Sequence, residues 1–115
     1  MSQRIRRVNE AVREVLAELL HELKDPRIGF VTLTEVRTSS DLQHAEVFFT
    51  VLPDDAETRA ATVAGLRSAR PLLRRELGTR LRIRYVPDLE FVEDPVPAQG
   101  RRIEALLRDQ PEEPT

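Results

Sequence analysis

The chain of 115 residues has no cysteine and no tryptophan, a single tyrosine, four glycines and one lysine. Without cysteine it forms no disulfide and no thiolate metal site, and the redox compartment stays open. Its longest apolar runs fall far short of the ~20 residues that a bilayer-spanning helix needs. The N-terminus does not read as a signal peptide, because Arg4, Arg6 and Arg7 lead into an amphipathic stretch and not into an unbroken apolar one. A cytoplasmic location with no membrane partner is the default expectation. The constellations of catalysis are missing as well: there is no serine elbow, no glycine-rich phosphate loop and no zinc-protease helix. We therefore expect a protein that is not an enzyme and that carries no cofactor.

What is present is sorted charge. Between Arg67 and Arg84 stand seven arginines, Arg67, Arg70, Arg74, Arg75, Arg80, Arg82 and Arg84, against one acid, Glu76. That segment is +6 in a protein whose net charge is −2, so the remainder sums to −8. A basic block in an acidic chain points to a polyanionic partner, RNA first. Arginine identity itself says little, since 17 arginines against Lys24 alone resembles a genome-wide bias. The clustering is the informative part.

Periodicity supplies the elements. Ile5, Val8, Val12, Val15, Leu16, Leu19, Leu20 and Leu23 repeat at helical spacing, and Asp25-Pro26 stops that helix. Phe30–Arg37 and Ala45–Leu52 read as strands joined by the turn residues Thr38 to Asp41, which makes an antiparallel hairpin. Asp54 and Asp55 suit a helix start, so residues 56–68 read as one helix and residues 71–77, opened by Pro71 and closed by Gly78, as a second. Arg80, Arg82 and Arg84 then alternate with Leu81, Ile83 and Tyr85, which predicts a third strand from Arg80 to about Phe91, interrupted near Pro87. In that strand the three guanidinium groups share one face and Tyr85 turns to the core. Arg67, Arg70 and Arg74 form a neighbouring helical stripe, so helix and strand would present one continuous basic surface. Phe48 and Phe49, being adjacent, must point to opposite faces, and the phenylalanines read as core or sheet residues. A short helix over residues 98–108 precedes an acidic, proline-containing tail. We expect one domain over residues 1–108 and a disordered tail over 109–115, which would discourage non-specific RNA contact.

This order, with Arg4, Arg7-Val8, the run Lys24-Asp25-Pro26-Arg27-Ile28-Gly29-Phe30, Ser40-Asp41-Leu42 at the hairpin turn, Leu81-Arg82-Ile83-Arg84, Pro87 and Leu89-Glu90-Phe91, resembles the ribosome-binding factor A family, over roughly residues 4–107. The resemblance implies an α+β, type II K-homology-like fold, α-β-β-α-(kink)-α-β, with a three-stranded sheet covered by helices and a short C-terminal helix. It implies a non-catalytic assembly factor that binds ribosomal RNA of the immature small ribosomal subunit and assists late maturation, RNA processing and cold adaptation. It admits a ribosome-associated GTPase as a further partner, and we expect a monomer. Two departures stand out. The K-homology fold usually grips RNA through a Gly-x-x-Gly loop, which this chain lacks. The family's Ala-x-Gly kink is matched here by Ala69-Arg70-Pro71, where proline removes one backbone amide.

The expected site is therefore the seven arginines holding RNA phosphates, with Arg4, Arg7, Lys24 and Arg27 as secondary candidates. Lys24 and Arg27 stand on a segment that is either a binding edge or merely the link from helix to strand. His21 and His44 have no spaced partner that suggests a metal. Asp88, Glu90, Glu93 and Asp94 match no calcium loop and read as solvated surface, as do Glu10, Glu14 and Glu18 along the first helix. The rival reading is a protein-interaction module whose basic face docks an acidic protein partner.

Overall fold

The computed structural model describes residues 3–95. The expected helix over 98–108 and the acidic tail lie outside these residues. The chain runs α1 (Gln3–Glu22), β1 (Phe30–Thr38), β2 (His44–Leu52), α2 (Ala56–Leu81), β3 (Asp88–Glu93). The fold is α+β, with a mixed sheet in the order β1-β2-β3. The first pair is the expected antiparallel hairpin, and β3 lies parallel to β2 at the edge.

A parallel neighbour requires a crossover, and α2 is that crossover. It contacts β2 and β3 while α1 contacts β1, and the two helices meet each other. Burial in β2 alternates strictly, with Ala45, Val47, Phe49 and Val51 inward and Glu46 and Phe48 outward. The adjacent phenylalanines thus divide between faces as expected: Phe49 is fully buried, and Phe48 lies under the Arg37 guanidinium, 5.1 Å from its ring centroid. In β1 the alternation breaks. The pairing shifts between Leu33 and Glu35, leaving Thr34 as an extra residue, so Leu33 and Val36 both reach the core. Val12 and Leu16 of α1 and Leu66, Leu73 and Leu77 of α2 meet them, all fully buried. Each such side chain contributes about 1.5–3 kcal/mol. A buried tie fastens the layers, where Asn9 Oδ1 on α1 accepts from the Thr38 amide at 2.9 Å.

Three expectations about the second half of the chain are corrected. The pair of helices is one continuous element, and Ala69-Arg70-Pro71 lies within it. Gly78 does not stop the helix. A Cβ there would stand 2.8 Å from Val86 Cγ2, so this glycine admits the close approach of the following loop. The helix ends instead at Arg82, in the left-handed region at φ 54°, whose amide donates to the Gly78 carbonyl. Finally, β3 begins only at Asp88, so Arg80 and Leu81 belong to α2 and residues 82–87 are a loop. Leu77 and Leu81 are four apart and continue the apolar stripe of α2, and this outweighs the two-residue alternation over the same residues.

The start of α2 and the Lys24–Gly29 segment are fixed locally. Asp55 is the N-cap, and its Oδ1 accepts from the Thr58 amide at 2.7 Å. Asp25 accepts from the amide and guanidinium of Arg27, and the turn it stabilises leans on α2 at Gly65. A Cβ at Gly65 would stand 2.6 Å from Ile28 Cγ1 and 3.3 Å from Arg27 Cβ. Gly65→Ala should therefore destabilise the protein by about 1–3 kcal/mol in urea denaturation, despite alanine's better helix propensity. The bond from the Thr58 amide holds the Asp55 carboxyl below its ordinary value. A carboxyl lowered in the folded state adds stability above its unfolded pKa, and this is lost as pH falls through the folded value. Asp55→Ala should thus lower the thermal midpoint at pH 7, with the gap to wild type closing as pH falls below the usual carboxylate range.

Candidate nucleic-acid interface

The seven arginines do not form one continuous surface, because helix geometry and the loop send them three ways. Arg67, Arg70 and Arg74 lie along the side of α2 that faces the start of β3 and line a groove of about 660 Å³. Its other wall carries Glu46, Asp88 and Glu90, so the groove is balanced in charge. Two of its arginines are partly committed to the fold. Arg70 Nη1 donates to the Leu89 carbonyl at 3.3 Å. Arg74 donates to the carbonyls of Val86 (3.0 Å) and Pro87 (3.3 Å) and pairs with Asp88 at 3.3 Å.

Arg80 faces the opposite way. It pairs with Glu22 at 2.9 Å and Glu18 at 3.6 Å, clamping the end of α2 to α1. The expected grouping of Arg80 with Arg82 and Arg84 on a strand face therefore does not occur. No sequence signal pairs Arg80 with acids 58 and 62 residues away, since the contact exists only once α1 crosses α2.

Of the seven, four have side chains with no hydrogen bond or ion pair among the described residues, Arg67, Arg75, Arg82 and Arg84, all exposed. Arg75 is exposed on α2, and Arg82 and Arg84 are exposed at the start of the loop that follows it. Each free guanidinium keeps five N–H donors in a fork that matches a phosphate. The loop also carries Tyr85, expected in the core and found 80% exposed.

Loop 82–87 is held at both ends. The Ile83 amide donates to the Gly78 carbonyl at 3.2 Å, Arg74 grips the carbonyls before β3, and the Asp88 amide donates to Gln43 at 2.8 Å. That last bond sets the loop beside the β1–β2 turn. There the Ser39 hydroxyl and then the Gln43 amide hold the Asp41 carboxyl below its usual value.

The secondary candidates lie elsewhere. Arg4 and Arg7 are exposed on the first turns of α1, Lys24 is exposed after it, and none lines the groove. Arg27 is engaged by Asp25 at 2.7 Å, an ion pair that holds that carboxyl below its ordinary range. Of the acids read as surface, Asp88 pairs with Arg74, Glu93 pairs with Arg59 at 3.2 Å, and Asp94 accepts from the Thr34 hydroxyl. No group of three His, Cys, Asp or Glu among the described residues is placed to hold a metal. None of their helices is long and apolar enough to cross a membrane.

Comparison with known proteins agrees with this architecture. The ribosome-binding factor A of Geotalea uraniireducens is 50% identical over 110 residues, covering 95% of this chain and 89% of that one. The Synechocystis factor is 46% identical over 114 residues, covering 96% and 85%. The crystal structure of the Thermus thermophilus factor superposes with a TM-score of 0.70 at 27% identity, over 77% of this chain and 93% of that one. A Thermus thermophilus model fitted into a cryo-electron-microscopy map of a 30S complex gives a TM-score of 0.64 at 28% identity, over 76% and 91%. The family model described as ribosome-binding factor A matches residues 4–107, which takes in α1 from Arg4 onward, the other four elements and every arginine of the basic segment, and the chain belongs to that family.

Proposed function

We propose that this protein binds ribosomal RNA of the immature small ribosomal subunit in the cytoplasm and assists its late maturation and processing, with the greatest effect in the cold, as a monomer without catalysis. Family membership and the relative fitted into a 30S complex support the subunit as target. The observation that carries the RNA contact is the set of four exposed arginines, Arg67, Arg75, Arg82 and Arg84, that no acid of the described residues neutralises. Guanidinium groups on a rigid helix and its anchored loop match phosphates spaced along a strand, and their role is positioning and not base reading. Arg70 and Arg74 serve the interface chiefly by holding β3 and the loop in place, with spare donors toward the groove.

Co-sedimentation with mature and immature small subunits across a salt series tests this reading. Four contacts predict a slope of about −2.8 to −3.6 in log K against log salt. Changing Arg67, Arg82 and Arg84 together to alanine should flatten the slope by about 2–3 while the far-ultraviolet spectrum stays native. Arg80→Ala, whose arginine is spent on α1, should bind like wild type. A salt-independent wild type, or an Arg80 variant as impaired as the triple one, contradicts the assignment. The rival reading, an acidic protein docked on the same cations, predicts no affinity for protein-free ribosomal RNA.

Arg82 offers a separate check. A non-glycine residue in the left-handed region costs on the order of 1 kcal/mol or more. Arg82→Gly should raise stability by about that amount and yet weaken subunit binding, so calorimetry and sedimentation move in opposite directions.

A further inference from the structure

We infer that Tyr85 is a stacking platform for one unpaired base of a single-stranded RNA segment whose neighbouring phosphates fall to Arg82 and Arg84. The inference rests on the RNA-binding reading above and adds to it a contact that is not electrostatic.

A tyrosine ring left in water forgoes the burial that large aromatics ordinarily gain, so its exposure needs a cause. The cause lies in the backbone on both sides of it. Upstream, the left-handed turn at Arg82 and the Ile83 amide are tied to the Gly78 carbonyl. Downstream, Val86 sits against Gly78, where even a methyl group would come within 2.8 Å, and the Val86 and Pro87 carbonyls are gripped by Arg74. Pro87 itself is buried. With both flanks fixed, Tyr85 cannot fold inward without dismantling the entry to β3, and its ring stays 80% exposed.

The surroundings of the ring decide what it is for. The Arg84 guanidinium carbon stands 5.9 Å from the ring centroid, a cation–π distance, and neither Arg82 nor Arg84 has an acid partner among the described residues. Ile83, two residues upstream, is exposed as well. An exposed aromatic face with free guanidinium groups one and three residues away is the combination that single strands use, a base on the ring and phosphates on the cations. A duplex offers no open base face to such a ring. Phe30 is comparably exposed, at 78%, but its strand partner is Leu52, also exposed, and this apolar pair has no arginine in register. The hydroxyl of Tyr85 has no role in the stack, which needs only the ring.

Composition supplies the probe. With one tyrosine and no tryptophan, the protein's intrinsic fluorescence reports Tyr85 alone. We would titrate the wild type with a short oligouridylate and with an abasic ribose-phosphate oligomer of equal length, taking occupancy from the anisotropy of a label on each oligomer. Stacking predicts quenching by the oligouridylate well beyond that by the abasic oligomer at equal occupancy. On small subunits, Tyr85→Ala should weaken binding roughly 5- to 100-fold with an unchanged salt slope, because no phosphate contact is lost, and Tyr85→Phe should restore wild-type affinity. Equal quenching by the two oligomers, or an alanine variant that binds subunits as tightly as wild type, overturns the inference. If wild type fails to bind subunits at any salt, the proposed function falls, and the quenching comparison alone decides the stacking site.

Discussion

One extra residue in β1 determines which side of the sheet is apolar. Side chains alternate along a strand, so without the irregularity at Thr34 the inward set of Val31 and Leu33 would continue into Glu35 and Arg37. The bulge resets the alternation, and Val36 and Thr38 turn inward instead. The sheet thereby gains one apolar face along its whole length, and a sheet with one apolar face takes both helices on that side. The topology follows from there. Having crossed that face, α2 must release the chain beside the start of β2, and loop 82–87 meets the β1–β2 turn at one end of the molecule.

The arginines divide their labour according to which neighbour each finds. Arg70, Arg74 and Arg80 satisfy backbone carbonyls or carboxylates of this chain and hold α2 to the sheet edge and to α1. Among the described residues the side chains of Arg67, Arg75, Arg82 and Arg84 find no such partner and stay exposed. A run of basic residues thus divides between arginines that brace the fold and arginines whose guanidinium groups stay exposed. Of the bracing arginines, Arg74 fixes the loop that displays two of the exposed ones, Arg82 and Arg84.

How much of this could be read from residues alone depends on whether the signal is local. The long amphipathic α1, its stop at Asp25-Pro26, the hairpin and the Asp55 cap all rest on neighbours within a few residues, and all are present. The α+β class and the three-stranded sheet were legible too. The segment from Gly78 to Tyr85 was not, because it satisfies two periods at once: Leu77 and Leu81 fit a helix, while Leu81, Ile83 and Tyr85 fit a strand. Tertiary contact decided between them, through Val86 packing on Gly78 and the left-handed turn at Arg82. The charge block was visible in the sequence. Its partition was not, since the partners of Arg70, Arg74 and Arg80 lie between 12 and 62 residues away.

The reach of Arg70 to the Leu89 carbonyl has a consequence beyond this molecule's own fold. In a parallel pairing where Asp88 and Asp94 turn their amides to β2, Leu89, Phe91 and Glu93 turn their backbone groups outward, away from the sheet. Such an edge is a template on which a second chain can add a strand and begin to aggregate. Here it is only six residues long, it carries three acids, and one of its outward carbonyls is already capped by a guanidinium. The arginine that lines the groove beside α2 also makes this strand a poor partner for another copy of itself.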